Sequence, residues 1–158
     1  MTGGSIGRPL PHRLALLSLA LTLVGCATSN GTVSDPSDTP GARRSALAIR
    51  VTARQYAWTF EYPGGGVSEE LHVPVDCKVT LTLTSRDVVH ALWIAAFDLR
   101  EDALPGYESR SSFQARRTGS FDAFCAEYCG SGHPKCRAKV TVHEPDGFEQ
   151  WIATISRK

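Results

Sequence analysis

Six residue types capable of chemistry crowd into one short stretch, FCAEYCGSGHPKC, from Phe124 to Cys136. It holds three of the chain's five cysteines and one of its five histidines, spaced Cys-x3-Cys-x3-His-x2-Cys. Thiolate sulfur and imidazole nitrogen together suit copper, zinc or iron–sulfur chemistry. The spacing would also put Cys125, Cys129, His133 and Cys136 on one face of a helix. Gly130, Gly132 and Pro134 interrupt that span, and each disfavours a helix interior, so the segment reads as a loop. A second histidine for the set has to come from elsewhere. His72 and His143 sit in alternating strand patterns, where a histidine is usually at the surface or satisfied by neighbours. His90 follows the turn-like Ser85-Arg86-Asp87 and opens an apolar strand, which places it on the rim of a β-fold.

A disulfide is the competing use of these thiols, because an exported chain meets oxidising conditions. Cys77 opens the strand KVTLTLTS, whereas the loop is expected at the end where that strand finishes. Eight residues at ~3.3 Å each put the two roughly 25 Å apart, beyond the ~7 Å between Cα atoms that a disulfide spans. Cys125 and Cys129 could still close on each other.

The elements that must position these groups are strands. In LAIRVTARQYAWTFEY apolar and polar residues alternate, and Tyr56, Trp58, Phe60 and Tyr62 form an aromatic face. SEELHVP, KVTLTLTS, SSFQARR, GSFDAF and RAKVTVH are further short strands, and His90–Phe97 (HALWIAAF) is a buried, nearly continuous apolar run. Gly, Pro and Asp punctuate them at the density of an all-β sandwich or barrel. Near the C-terminus the period changes. Asp146 is expected to cap, with Glu149 three residues on, and Phe148, Trp151, Ile152 and Ile155 then form the apolar stripe of one short helix.

At the other end, Arg8, His12 and Arg13 precede LALLSLALTLVG and then Cys26. About 12 apolar residues are too few to span a bilayer, which needs roughly 20, and suit the core of a secretory signal. Leu23-Val24-Gly25-Cys26 resembles a bacterial lipobox, so residues 1–25 are expected to be a signal peptide and Cys26 a lipidated anchor. Residues 26–45 are rich in Ser, Thr, Gly, Pro and Asp, with no apolar period, and read as a flexible tether. The folded domain is expected over 46–158. Loss of Arg8 and Arg13 with the signal turns the formal charge of +1 into −1. No basic cluster interleaved with aromatics is present, which excludes nucleic acid as a partner class.

Three blocks in order, QYAWTFEYP, TSRDVVHALWI…EDALPGY and FCAEYCGSGHPKC, resemble the binuclear copper A domain of cytochrome c oxidase subunit II, a cupredoxin; FEQWI resembles its closing helix. The resemblance runs over roughly residues 48–155 and implies a Greek-key β-sandwich. It also implies that Cys125 and Cys129 bridge two copper ions, with His90 and His133 as terminal imidazoles and the Glu127 carbonyl as a weak axial ligand. The Glu127 carboxylate would help hold magnesium against subunit I. Two bridging thiolates share one electron between the ions, and a rigid sandwich keeps reorganisation small. The resemblance implies a non-catalytic subunit that takes electrons from a c-type cytochrome toward a haem–copper oxidase, with Asp98, Glu101 and Asp102 available to attract a basic donor.

Three features depart from the family. Cys136 stands where the family has a methionine as the second axial ligand, and the chain's one methionine is Met1. A thiolate there donates more strongly and lowers the reduction potential. It also makes Cys125, Cys129, Cys136 and His133 a Cys3His set, which suits tetrahedral zinc; a copper-binding or copper-delivery protein, or an inert sandwich carrying a structural zinc or disulfide, are the other readings. The lipobox replaces the family's transmembrane helices, giving an extracytoplasmic, lipid-anchored domain. Tyr56 takes the position of the family's electron-entry tryptophan, and Trp58 is retained two residues on.

Overall fold

The computed structural model describes Met1 and residues 46–156. The signal peptide expected over 1–25, apart from Met1, and Cys26 with the tether over 26–45 lie outside the described residues. Ten strands follow in chain order: β1 (Leu47–Arg54), β2 (Ala57–Glu61), β3 (Val67–Ser68), β4 (Leu71–Pro74), β5 (Lys78–Ser85), β6 (His90–Ile94), β7 (Leu99–Ala103), β8 (Ser109–Gln114), β9 (Gly119–Cys125) and β10 (Arg137–His143). One helix, α1 (Pro145–Ile155), closes the chain. The strands form two five-stranded sheets, ordered β3-β2-β1-β5-β8 and β4-β10-β9-β6-β7. β1 runs parallel to β5 and β4 parallel to β10, while the other neighbours are antiparallel. This is the β-sandwich expected from the alternation, in the cupredoxin-like form that the resemblance implies.

The alternation explains the packing. Val79, Leu81 and Leu83 point inward from β5, Ile49, Val51 and Ala53 from β1, and Ala138, Val140 and Val142 from β10. They meet Leu71, Val73, Leu92 and Ile94 in a single core. Each fully buried Val, Leu or Ile contributes about 1.5–3 kcal/mol. Trp58 and Phe60 face this core from β2, and Tyr62 just beyond it is also buried.

Three local expectations change. The run from Leu47 to Tyr62 is two antiparallel strands, with Arg54 opposite Ala57. Tyr56 therefore lies in the turn, half-buried, and not on the strand face of Trp58 and Phe60. The apolar run from His90 stops as a strand at Ile94; Ala95–Phe97 form a 3-10 turn that ends on Asp98 at φ 49°, a conformation Asp tolerates better than bulky residues. Within β6, Trp93 points outward and is 43% exposed. Helix α1 starts at Pro145, with Glu144 before it, so Asp146 sits in the first turn and does not cap. Proline needs no N–H partner at a first helical position, which moves the start upstream, and Asp146 still meets the positive end of the helix dipole. The stripe of Phe148, Trp151, Ile152 and Ile155 packs on the core as its spacing predicts. No helix among the described residues is long and apolar enough to cross a membrane.

Candidate metal centre

The loop between β9 and β10 and the start of β6 come together at one end of the sandwich. The base of the loop is closed by the Cys125 N–H, which donates to the Cys136 carbonyl at 3.0 Å, and Ala126 N–H ties it to Ala91 of β6 at 2.8 Å. Cys125 is the last residue of β9, and Cys136 directly precedes β10. Both thiols therefore inherit the rigidity of paired strands. Cys129 and His133 sit in the loop's tip, where a turn bonds His133 N–H to the Gly130 carbonyl and a 3-10 turn follows over His133–Lys135.

The donor atoms converge. Cys125 Sγ and Cys129 Sγ are 3.9 Å apart. His90 Nδ1 lies 3.6 Å from Cys125 Sγ, and His133 Nδ1 lies 3.4 Å from Cys129 Sγ. A metal about 2.3 Å from a thiolate and about 2.0 Å from an imidazole places those donors roughly 3.5 Å apart at a tetrahedral angle, so each Cys–His pair fits one ion. Cys136 Sγ is 4.0 Å from His90 Nδ1. The donors of His90, Cys125, Cys129 and Cys136 all lie within 4.8 Å of one another, and all four residues are buried. A single-ion set with three cysteines thus recruits His90, not the His133 that the zinc reading assigned; His133 reaches the group through Cys129. Cys125, Cys129 and Cys136 are free thiols, so the Cys125–Cys129 disulfide is not formed. Cys77 belongs to the far end of β5, while Ser85 at its near end bonds Asp87 beside the site.

Electrostatics favour a cation here. The Cys129 and Cys136 thiols are pushed up in pKa, first by burial and then by the charge that neighbouring thiolates would carry. Three buried thiolates repel one another, and a bound cation inverts that preference. The Glu127 carbonyl stands 3.2 Å from Cys125 Sγ, so its backbone oxygen lies at the centre's edge. Its carboxylate is exposed, 3.8 Å from the Arg100 guanidinium.

Two residues without a role in the sequence reading support the centre. Asp87 Oδ1 is 2.9 Å from His90 Nε2. Its carboxyl is held down at about 2: burial alone would raise it, but the Gln55 N–H, His90 and the Val88 N–H outweigh that. An ionised Asp87 accepts the Nε2 proton, which leaves the His90 Nδ1 lone pair facing the sulfurs. The Asp-x-x-His spacing carried that signal. Gln55 is the other: its Nε2 donates to the Cys129 carbonyl at 2.5 Å. Of the aromatic pair, Trp58 is buried with its ring edge-on to His90 at 5.9 Å. Tyr56 covers the loop instead. A Cβ on Gly132 would lie 2.4 Å from the Tyr56 ring, so only glycine allows this approach. Glu101 and Asp102 lie half-buried on β7, with Asp102 Oδ1 3.0 Å from Arg100 Nη1.

The family model for the cytochrome C oxidase subunit II periplasmic domain matches residues 65–142. The crystal structure of the periplasmic domain of subunit II of the cytochrome oxidase of Bradyrhizobium japonicum is similar at 30% identity, with a TM-score of 0.68, over 72% of this chain and 96% of that one. The chain belongs to the subunit II family. Cytochrome c oxidase subunit 2 of Thermostichus vulcanus is 45% identical over 106 residues, which cover 66% of this chain and 32% of the relative. A mixed-disulfide structure of subunit II with a thioredoxin-like protein is similar at 29% identity and a TM-score of 0.64, over 77% of this chain and 96% of that chain. The chain spans about a third of the length of the curated subunit II relatives it matches first.

Proposed function

We propose that this domain is the copper-bearing electron-transfer part of a haem–copper oxidase, working on the extracytoplasmic side of the membrane. The observation that carries the reading is the pair of thiols 3.9 Å apart, each with its own imidazole at 3.6 and 3.4 Å. Cys125, Cys129, His90 and His133 would hold the copper, with the Glu127 carbonyl and Cys136 as further donors beside them. Copper so held supplies one-electron redox chemistry with little change of geometry. The chain's own residues do the rest: Asp87 fixes the ring of His90, and paired strands fix Cys125 and Cys136. A c-type cytochrome is the proposed donor, with Tyr56 and Trp58 on the entry side, and subunit I of the oxidase the proposed acceptor. Lipidation at Cys26 provides the proposed anchor, and Glu127 the proposed protein ligand for magnesium at the subunit I boundary.

The test is copper reconstitution of the full chain, with metal stoichiometry and EPR. Two coppers sharing one unpaired electron, seen as a seven-line hyperfine pattern, are the expected result. One copper with a four-line pattern, or copper held only as EPR-silent Cu(I), overturns it. The four-residue group of His90 with three cysteines favours a second reading, a copper-binding or delivery protein holding a single ion. Cys136→Met separates the two further. An axial role predicts a retained binuclear centre with a raised potential, whereas a single-ion site predicts loss of binding.

A further inference from the structure

The two segments that carry the donors belong to one sheet, and both also bond to the β1 end of the other. The base of the Cys loop is bonded to β6, through Ala126 N–H and the Ala91 carbonyl. Its tip, with Cys129 and His133, has no such bond to β6 and leans across to the turn after β1. There Gln55 makes two contacts at once. Its backbone N–H donates to Asp87 Oδ2 at 2.7 Å, while Asp87 Oδ1 holds His90. Its side-chain amide donates to the Cys129 carbonyl. The segment before His90 is also stitched to the end of β1, since Arg86 N–H donates to the Ala53 carbonyl at 3.0 Å. Tyr56 packs closely against Gly130 and Gly132.

We infer that Gln55 is a positioning residue for the metal centre, a clamp that holds the Cys129 half of the loop in register with His90. This rests on the function proposed above, because it concerns where the donors of that centre are held. The amide is suited to the task. It is neutral, it offers a donor to a carbonyl, and it adds no charge beside thiolates. A carboxylate in its place presents two acceptors to the Cys129 carbonyl and repels it. Gln55 is exposed, so its replacement opens no cavity in the core.

The experiment uses Gln55→Ala and Gln55→Glu in the full chain. In the reduced, metal-free protein, the rate of Cys129 alkylation by iodoacetamide is followed by mass spectrometry, beside the thermal midpoint. The clamp predicts labelling at Cys129 at least 10-fold faster in both variants and fastest in Gln55→Glu. The midpoint should move by only a few degrees, and Cys77 labelling should stay at the parent rate. In the copper-loaded chain the hyperfine splitting should change in the same order. An unchanged Cys129 rate in both variants overturns the clamp. So does a rise matched at Cys77, which marks global loosening. A parent chain that takes up no copper overturns the earlier reading, and the labelling rates still decide the clamp.

Discussion

Two histidine environments in this domain start from the same side chain and end in opposite arrangements. His90, fully buried, spends one ring nitrogen on Asp87 and turns the other toward sulfur atoms that offer it no strong hydrogen bond. His72 and His143, on β4 and β10, spend nitrogens on each other at 2.8 Å. Trp151 of α1 stacks on the His72 ring at 4.0 Å between centroids. The Tyr62 hydroxyl accepts the His72 N–H at 2.7 Å and donates to its carbonyl at 3.1 Å, so the backbone there is satisfied too. Burial alone does not make a histidine a ligand. What matters is whether its second nitrogen has been left without a strong partner among other donors in the same state.

The comparison can be broken at either end. The largest effect is expected from Cys129→Ala, which removes one of the two thiols that face separate imidazoles. Copper uptake by the full chain should fall from two ions to at most one, with loss of the seven-line signal, whereas His143→Gln should keep both. Asp87→Ala comes next. Losing the partner that orients a metal-binding histidine typically costs 10–100-fold in affinity, measurable by competition with a copper chelator. Trp151→Ala attacks the other end. It strips the cover from His72 and part of the helix stripe, and a loss of about 2 kcal/mol is expected for this half-buried ring, read by denaturant unfolding, with the copper spectrum unchanged.

The smallest effect is pH dependence. His72 is held down at about 4, by burial first and by His143 second, and burial holds His143 below its ordinary value as well. The unfolded chain then binds protons that the folded one refuses. Stability from this pair is therefore complete above about pH 6.5, is lost as pH falls toward 4, and levels off below that. For a partly exposed pair the loss amounts to ~1–2 kcal/mol. It is read as the difference in unfolding midpoint between pH 7.5 and 4.5 in metal-free protein. The slope should flatten in a His72→Phe, His143→Phe double variant.

What could be read from the sequence followed from periodicity and from residues that bend the chain. Alternation located the strands because each inward side chain had to be apolar, and Gly130, Gly132 and Pro134 marked a loop where the cysteine spacing alone suggested a helix. Relations between distant segments were less legible. The inward phase flips across Gln55 and Tyr56, from Ile49, Val51 and Ala53 to Trp58 and Phe60, but Tyr56 shares the parity of Trp58 and so reads as part of the second arm. Asp87 and Gln55 look like ordinary turn residues until the fold brings them against His90 and Cys129. The mutual satisfaction of His72 and His143 depends on β4 lying beside β10, which no local pattern encodes. The helix start moved because Asp146 has cap chemistry but Pro145 has the stronger positional preference.

Cys129 and Cys136 are only 2% and 1% exposed, which shields them from solvent oxidants and from incoming ions alike. Entry of an ion to these thiols is expected to need a local opening of residues 126–136 away from Tyr56. Loading becomes a two-step event, opening and then capture, with opening drawn from the low-stability end of the fold's fluctuations. At high copper concentration the observed loading rate should stop rising and level off at the opening rate. That plateau belongs to the protein and not to the metal, and replacing Tyr56 with a smaller side chain should raise it.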